Sequence, residues 1–237
     1  MRRSISIIIP AYNEENRLPA TLRTVRAYLA ANPWEFSEVI VVDDGSRDGT
    51  AASARAAGVR LLQNPGNRGK GYTVRHGMLE AKGDWALFSD ADLSTPIEEL
   101  EKLWRCIEAE NAQAAIGSRA LDRSLVGIHQ PAFREFMGRF FNLVMGLVTG
   151  LPFHDTQCGF KLFQTSAARE VYSRQRLDGF GFDVEVLYIA RHLGLRVLEI
   201  PVKWNDAAGT KVSLLRGMSA FLDPFTVRWN GISGKYR

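Results

Sequence analysis

Only two cysteines occur in the 237 residues, Cys106 and Cys158, too few for a disulfide framework or a cysteine-rich metal site. That scarcity fits a reducing cytoplasm. His129 and His154 have no partner at a zinc-ligating spacing, and His76 reads as a helix-surface residue. No uncharged apolar run reaches the roughly 18 residues that a membrane-spanning helix needs, the nearest being FFNLVMGLVTGLPF over Phe140–Phe153. The basic start MRRSISIII carries an apolar run of Ile5–Ile9 only, too short for a signal peptide, and reads as a first strand. The glycine-rich NPGNRGKGYTVRHG lacks the Lys-Ser/Thr ending of a Walker A loop and the spacing of a dinucleotide fingerprint, so neither an NTPase nor an NAD enzyme is indicated. Repeats and low-complexity segments are missing as well.

The hydrophobic content of 46% and charged content of 24% are globular values. A net charge of +4 permits a phosphate-bearing or anionic-surface partner; a nucleic-acid partner is not expected. The length suits one large α/β domain, placed at 1–210, followed by a basic amphipathic extension over 211–237.

β-branched runs alternate with helix-period segments through the first half, the signature of a mostly parallel, Rossmann-like sheet with helices on both faces. SISIII, EVIVVDD, VRLLQN, WALFSD and AAIGS are the strand candidates, and Asn13–Ala30, Asp48–Ala57, Gly69–Ala81 and Pro96–Ala109 the helices between them. Ligands of such sheets sit beyond the carboxyl ends of the strands. Polar clusters stand where the strands stop: Pro10, Tyr12, Asn13 and Glu14; Asp43–Ser46; Asp90–Asp92; and Gly117–Arg119.

DAD at Asp90–Asp92 puts two carboxylates two residues apart at a strand end, hard oxygen donors suited to Mg²⁺ or Mn²⁺. An Asx cap before Thr95-Pro96 is the alternative. No Lys or Arg lies beside the pair in sequence, which favours a metal. VVDDGSRDGT can present Asp44 to a base or ribose, or serve only as a helix cap. The loop around Arg68 and Lys70 can hold an anion or simply carry solvated charges.

In this order and spacing PAYNEE, VVDDGS, NRGKG, SDADLSTP and GSR resemble the family 2 nucleotide-sugar glycosyltransferases, which have a GT-A fold. DTQCGFKLF, GFDVEVLYIA and VKWNDAAGTK look like a narrower group, the dolichyl-phosphate β-glucosyltransferases and their prokaryotic polyprenyl-phosphate relatives. The resemblance implies a UDP-sugar donor held with Mg²⁺ or Mn²⁺ on Asp90 and Asp92. It implies a nucleotide pocket of Pro10, Tyr12, Glu14, Asp44, Lys70 and Asp90. Arg119, Arg134, Gln157 and Lys211 match the acceptor-phosphate and diphosphate contacts, and Asp155, Asp92 and Arg119 are the catalytic candidates. Asp155 would orient the nucleophile, or act as base toward a hydroxyl. Arg134 has an alternative as a snorkelling residue on an interfacial helix. Asp183 and Glu185 would face the site from a helix start, while Phe160, Leu162 and Phe163 read as core and Cys158 as a small packing residue. Mannosyl-transferring relatives commonly carry an Arg shortly before a GxSK-like element, whereas NDAAGTKVS has Ala207 and Ala208 there, which favours glucosyl transfer.

The implied activity is inverting transfer of glucose from UDP-glucose to a polyprenyl or dolichyl phosphate. A stripe over Phe133–Val148 and the tail after Lys211 suggest association with the cytoplasmic leaflet of a membrane, with a membrane-protein partner as a further expectation. The rivals are a family 2 enzyme with a soluble or polysaccharide acceptor, a mannosyltransferase using GDP-mannose, a retaining GT-A enzyme acting on a small phosphorylated acid, and a non-catalytic nucleotide-sugar-binding scaffold.

Overall fold

A computed structural model describes residues 3–128, 145–205 and 222–237. Its strands are β1 Ser4–Ala11, β2 Phe36–Asp43, β3 Arg60–Gln63, β4 Trp85–Ser89, β5 Ala114–Ser118, β6 Val126–Ile128, β7 Phe160–Gln164, β8 Val197–Pro201 and β9 Trp204–Asn205. Its α-helices are α1 Leu18–Ala31, α2 Thr50–Ala56, α3 Lys70–Leu79, α4 Leu100–Glu110, α5 Thr165–Arg174, α6 Phe182–His192 and α7 Asp223–Ile232.

Seven strands form one sheet in the order β3-β2-β1-β4-β7-β5-β8. All neighbours are parallel except β7, which runs antiparallel to both β4 and β5. β6 and β9 make a separate two-stranded ladder beside it. The near-continuous hydrophobicity of the strands has a direct cause. On β1, Ile5, Ile7 and Ile9 join the apolar layer with α1 and α4, and Ile8 joins the opposite layer with α3, α5 and α6. Each fully buried isoleucine is worth about 1.5–3 kcal/mol, so both faces need covering and alternation disappears.

Pro10 lies inside β1 rather than ending it, paired with Val42 of β2. The ladder from β1 to β4 covers only Ile5–Ile8, so the proline's missing N–H falls past the end of that ladder. Residues 222–237 share the domain's core: Val227 and Tyr236 are buried in the layer that contains α3, α5 and α6. Arg134, Lys211, most of the 133–148 stripe and the 207–211 element lie outside the described residues.

Candidate active site

The glycine-rich loop is built on Asp44. The residue is only 4% exposed, and its carboxylate accepts hydrogen bonds from the Asn64 amide at 2.8 Å and from the Arg68 and Gly69 backbone N–H groups at 2.9 Å each. One lone-pair position of Oδ2 remains for a ligand. Asn64 spends its amide nitrogen on Asp44 and Thr73, so His76 Nδ1–H donates to the Asn64 carbonyl oxygen at 2.9 Å. Gly45 has φ +73°, and a Cβ there would meet Gly66 backbone at 2.5 Å, so the second strand-end turn needs glycine. The first strand end is stitched to it: the Asn13 N–H donates to Ser46 Oγ, Arg47 N–H to Asn13 Oδ1, and Glu14 N–H to Thr50 Oγ1. Tyr12 and Glu14 are half-buried on this rim.

At the end of β4 the acid pair meets a cation that sequence neighbourhood does not reveal. Lys70, the first residue of α3, places Nζ 2.7 Å from Asp90 Oδ1. Burial works against the ammonium, but Asp90, Asp183 and Asp92 outweigh it and lift its pKa above the ordinary lysine value. The other Asp90 oxygen lies over Gly159, where a Cβ would come within 1.9 Å of it; the Asp90 N–H also donates to the Gly159 carbonyl at 3.1 Å. Asp92 Oδ1 accepts from the Ser94 N–H at 3.0 Å. Leu93 between them adopts φ +48°, a strained state for a branched side chain and a frequent mark of a functional loop.

Beneath this pair sits a charged couple inside the sheet. Lys161 of β7 is fully buried; its Nζ donates to the Cys158 carbonyl at 2.7 Å and to Asp183 at the start of α6. Burial pushes the Asp183 carboxyl above its ordinary range, against the pull of Lys161 and Lys70. The Lys70 and Lys161 ammonium groups lie 5.4 and 5.6 Å from the Phe88 ring centroid, so one aromatic ring serves two cations. Glu185, two residues on, does not face the site: it accepts from the Arg176 and Leu177 N–H groups and from the Tyr236 hydroxyl.

The far side is organised by Arg119 and Asp155. Arg119 follows β5 and forks onto Asp155, Nε to Oδ2 at 2.6 Å and Nη2 to Oδ1 at 2.8 Å. The Arg119 and Gln157 backbone N–H groups bind the same carboxylate. Burial opposes its charge, but the Arg119 guanidinium and these hydrogen bonds prevail and hold the Asp155 carboxyl below its ordinary range. A carboxylate so occupied is a poor proton acceptor. Gln157 Nε2 is buried and has no hydrogen-bond partner among the described residues, a donor available to a ligand. Cys158 packs against Gly117, and burial raises its thiol to about 11.

The mostly parallel sheet, with acids, a lysine and an arginine gathered at its strand ends, has the GT-A architecture. Solved structures agree on the fold. Mannosyl-3-phosphoglycerate synthase from Rubrobacter xylanophilus superposes with a TM-score of 0.72 at 18% identity, covering 98% of this chain and 75% of that one. Glucosyl-3-phosphoglycerate synthase from Mycobacterium tuberculosis, crystallised with Mn²⁺, UDP-glucose and phosphoglyceric acid, gives 0.71 at 18% over 96% of this chain and 80% of that one. The chain belongs to glycosyl transferase family 2, whose family model matches residues 6–172. Within it, the Drosophila melanogaster dolichyl-phosphate beta-glucosyltransferase is 39% identical over 88% of this chain and 69% of its own length. The Homo sapiens protein of the same name is 34% identical over 89% and 70%.

Proposed function

We propose that this glycosyltransferase moves glucose from UDP-glucose to a polyprenyl or dolichyl phosphate with inversion at the anomeric carbon. The observation that carries the acceptor class is the Arg119–Asp155 fork. Asp155, the one base candidate of the acceptor side, is committed to an arginine, and a phosphate acceptor is already ionised and needs no base. Its oxygen forms the bond to the anomeric carbon as the bond to the UDP β-phosphate breaks, and the electron pair leaves with UDP. No proton has to move. The likeness to proteins named dolichyl-phosphate beta-glucosyltransferase supports glucose and the lipid phosphate.

On this reading Pro10, Tyr12, Glu14 and Asp44 line the nucleotide, and Lys70 faces the diphosphate. Arg119, oriented by Asp155, Gln157 and Arg134 meet the acceptor phosphate, and Lys211 meets the diphosphate. Arginine's fork suits phosphate. Asp90 and Asp92 fit a divalent ion: both are oxygen donors at an open strand end, and Gly159 leaves room for the Asp90 carboxylate. Among the described residues no group of three ligating side chains converges; Asp90 and Asp92 would hold such an ion, and it would offset the charge that develops on departing UDP.

A lipid acceptor places the enzyme at a membrane, as a peripheral protein of the cytoplasmic face that can work with a membrane-protein partner. Among the described residues no helix is long and apolar enough to cross one. The test is transfer of labelled glucose from UDP-glucose into organic-extractable lipid, with polyprenyl phosphate and Mg²⁺ or Mn²⁺, followed by anomer analysis. Metal-dependent β-linked lipid product is expected; an α-linked product or a labelled hydroxyl acceptor instead would replace this reading with one of its rivals.

A further inference from the structure

Helix α7 has two faces of opposite character. Pro224, Val227 and Asn230 are buried against the domain. Leu222, Phe225, Trp229 and Ile232 are 68, 55, 66 and 65% exposed. Their spacing of three, four and three residues makes one stripe along the helix. The exposed charges of residues 222–237 have one sign. Arg228, Lys235 and Arg237 are exposed, while Asp223, the one acid of residues 222–237, is turned against Gly181, where a Cβ would come within 2.2 Å of it.

The buried face ties α7 to the catalytic crevice. Gly181 lies two residues before Asp183, the partner of Lys161. Gly231 lets the helix backbone approach Tyr188 of α6. The Tyr236 hydroxyl donates to Glu185 at 2.7 Å, and Glu185 holds the Arg176 and Leu177 N–H groups. The Leu177 and Asp178 carbonyls in turn crowd Gly71 and Gly69 on either side of Lys70.

Resting on the lipid-phosphate reading above, we propose that α7 is the membrane seat of this enzyme, with Leu222, Phe225, Trp229 and Ile232 entering an anionic bilayer surface while the helix lies in its plane. Apolar side chains with cationic flanks, and no outward acid, complement an anionic lipid surface rather than a soluble protein. The stripe is carried by a helix whose other face packs on α6, the helix whose first turn carries Asp183.

The experiment is sedimentation of the full chain with vesicles of phosphatidylcholine alone and of phosphatidylcholine with phosphatidylglycerol, comparing wild type with Phe225→Glu/Trp229→Glu. Wild type is expected to sediment with the anionic vesicles. The double variant should lose about tenfold or more of that binding, with UDP affinity and transfer to a short, water-soluble polyprenyl phosphate unchanged. A wild type that stays in the supernatant overturns the proposal, as does a variant that sediments equally well. So does a wild-type dimer that the variant splits without change in vesicle binding, since a second copy then covers the stripe. Wild type that sediments but labels no polyprenyl phosphate sinks the acceptor reading and leaves the membrane seat standing.

Discussion

The two sides of the crevice are held by different physics. On the nucleotide side, short acids and amides accept backbone N–H groups: Asp44 fixes the 64–69 loop, Asp43 the Ser46 turn, Asn13 and Glu15 the 47–49 turn. Such bonds set loop shape whatever the charge of the ligand. On the proposed acceptor side Asp155 also accepts two backbone N–H groups, but its distinctive partner is the Arg119 guanidinium, and the buried Gln157 amide beside it has no partner among the described residues. There the charge itself is the product of the folding. One side is thus preorganised in shape and the other in electrostatics, and substitutions separate the two.

The largest effect is expected where both sides meet the departing group. Asp92→Ala, or EDTA on wild type, should lower kcat by about a thousandfold, roughly 4 kcal/mol of barrier. A stopped assay restored by excess Mn²⁺ checks the EDTA arm. Next comes the buried couple. Lys161→Met alone strands Asp183 and should cost about 3–5 kcal/mol in urea unfolding, whereas Lys161→Met/Asp183→Leu should recover most of it. A double variant as unstable as the single would show that the pair's geometry, not its charge balance, matters.

On the acceptor side, Asp155→Asn keeps the shape but loosens Arg119. We expect kcat to fall about a hundredfold with KM for UDP-glucose within about twofold, as transition-state positioning requires. On the nucleotide side, Asp44→Ala should do the reverse in kind, costing about 2 kcal/mol of stability through freed N–H groups and raising KM for the donor. Similar KM changes in both variants would erase the difference between the two sides.

The smallest effect is in pH. The Asp155 carboxyl lies below its ordinary value of 3.8 in the folded chain. Its contribution to stability is therefore complete above pH 3.8 and drains as pH falls below it through the folded value. Activity should show no acid limb from Asp155 between about pH 5 and 8. Thermal melts of wild type and Asp155→Asn should differ least at the acid end.

Much of the parallel half was legible because hydrophobic period and strand-end acids are local signals. The strand ends after β1 and β2 are hydrogen-bonded to each other, and Lys70 joins the loop after β3 to Asp90 after β4, as the ordinary rule for open α/β sheets leads one to expect. The reversed direction of β7 was not legible, since Phe160–Gln164 carries the same apolar run either way. Lys161 was missed for a related reason, being one polar letter inside FKLF. A signal did exist: a lysine in a strand buried on both faces must find an anion, and in the fold that anion is Asp183. The resemblance put Lys70 and Asp90 in one pocket, but the ion pair between them spans twenty residues and leaves no local signal. The tie from Tyr236 to Glu185 joins residues 51 apart, a distance over which periodicity carries nothing.

The contact between Lys70 and Asp90 closes a carboxylate with its own counter-ion, Nζ lying 2.7 Å from Oδ1. On the proposed donor reading, that lysine would keep the pocket from being a bare trap for stray divalent ions, and loading the donor would be an exchange of partners rather than the filling of an electrostatic hole. A site wired this way would be shaped for turnover more than for retention.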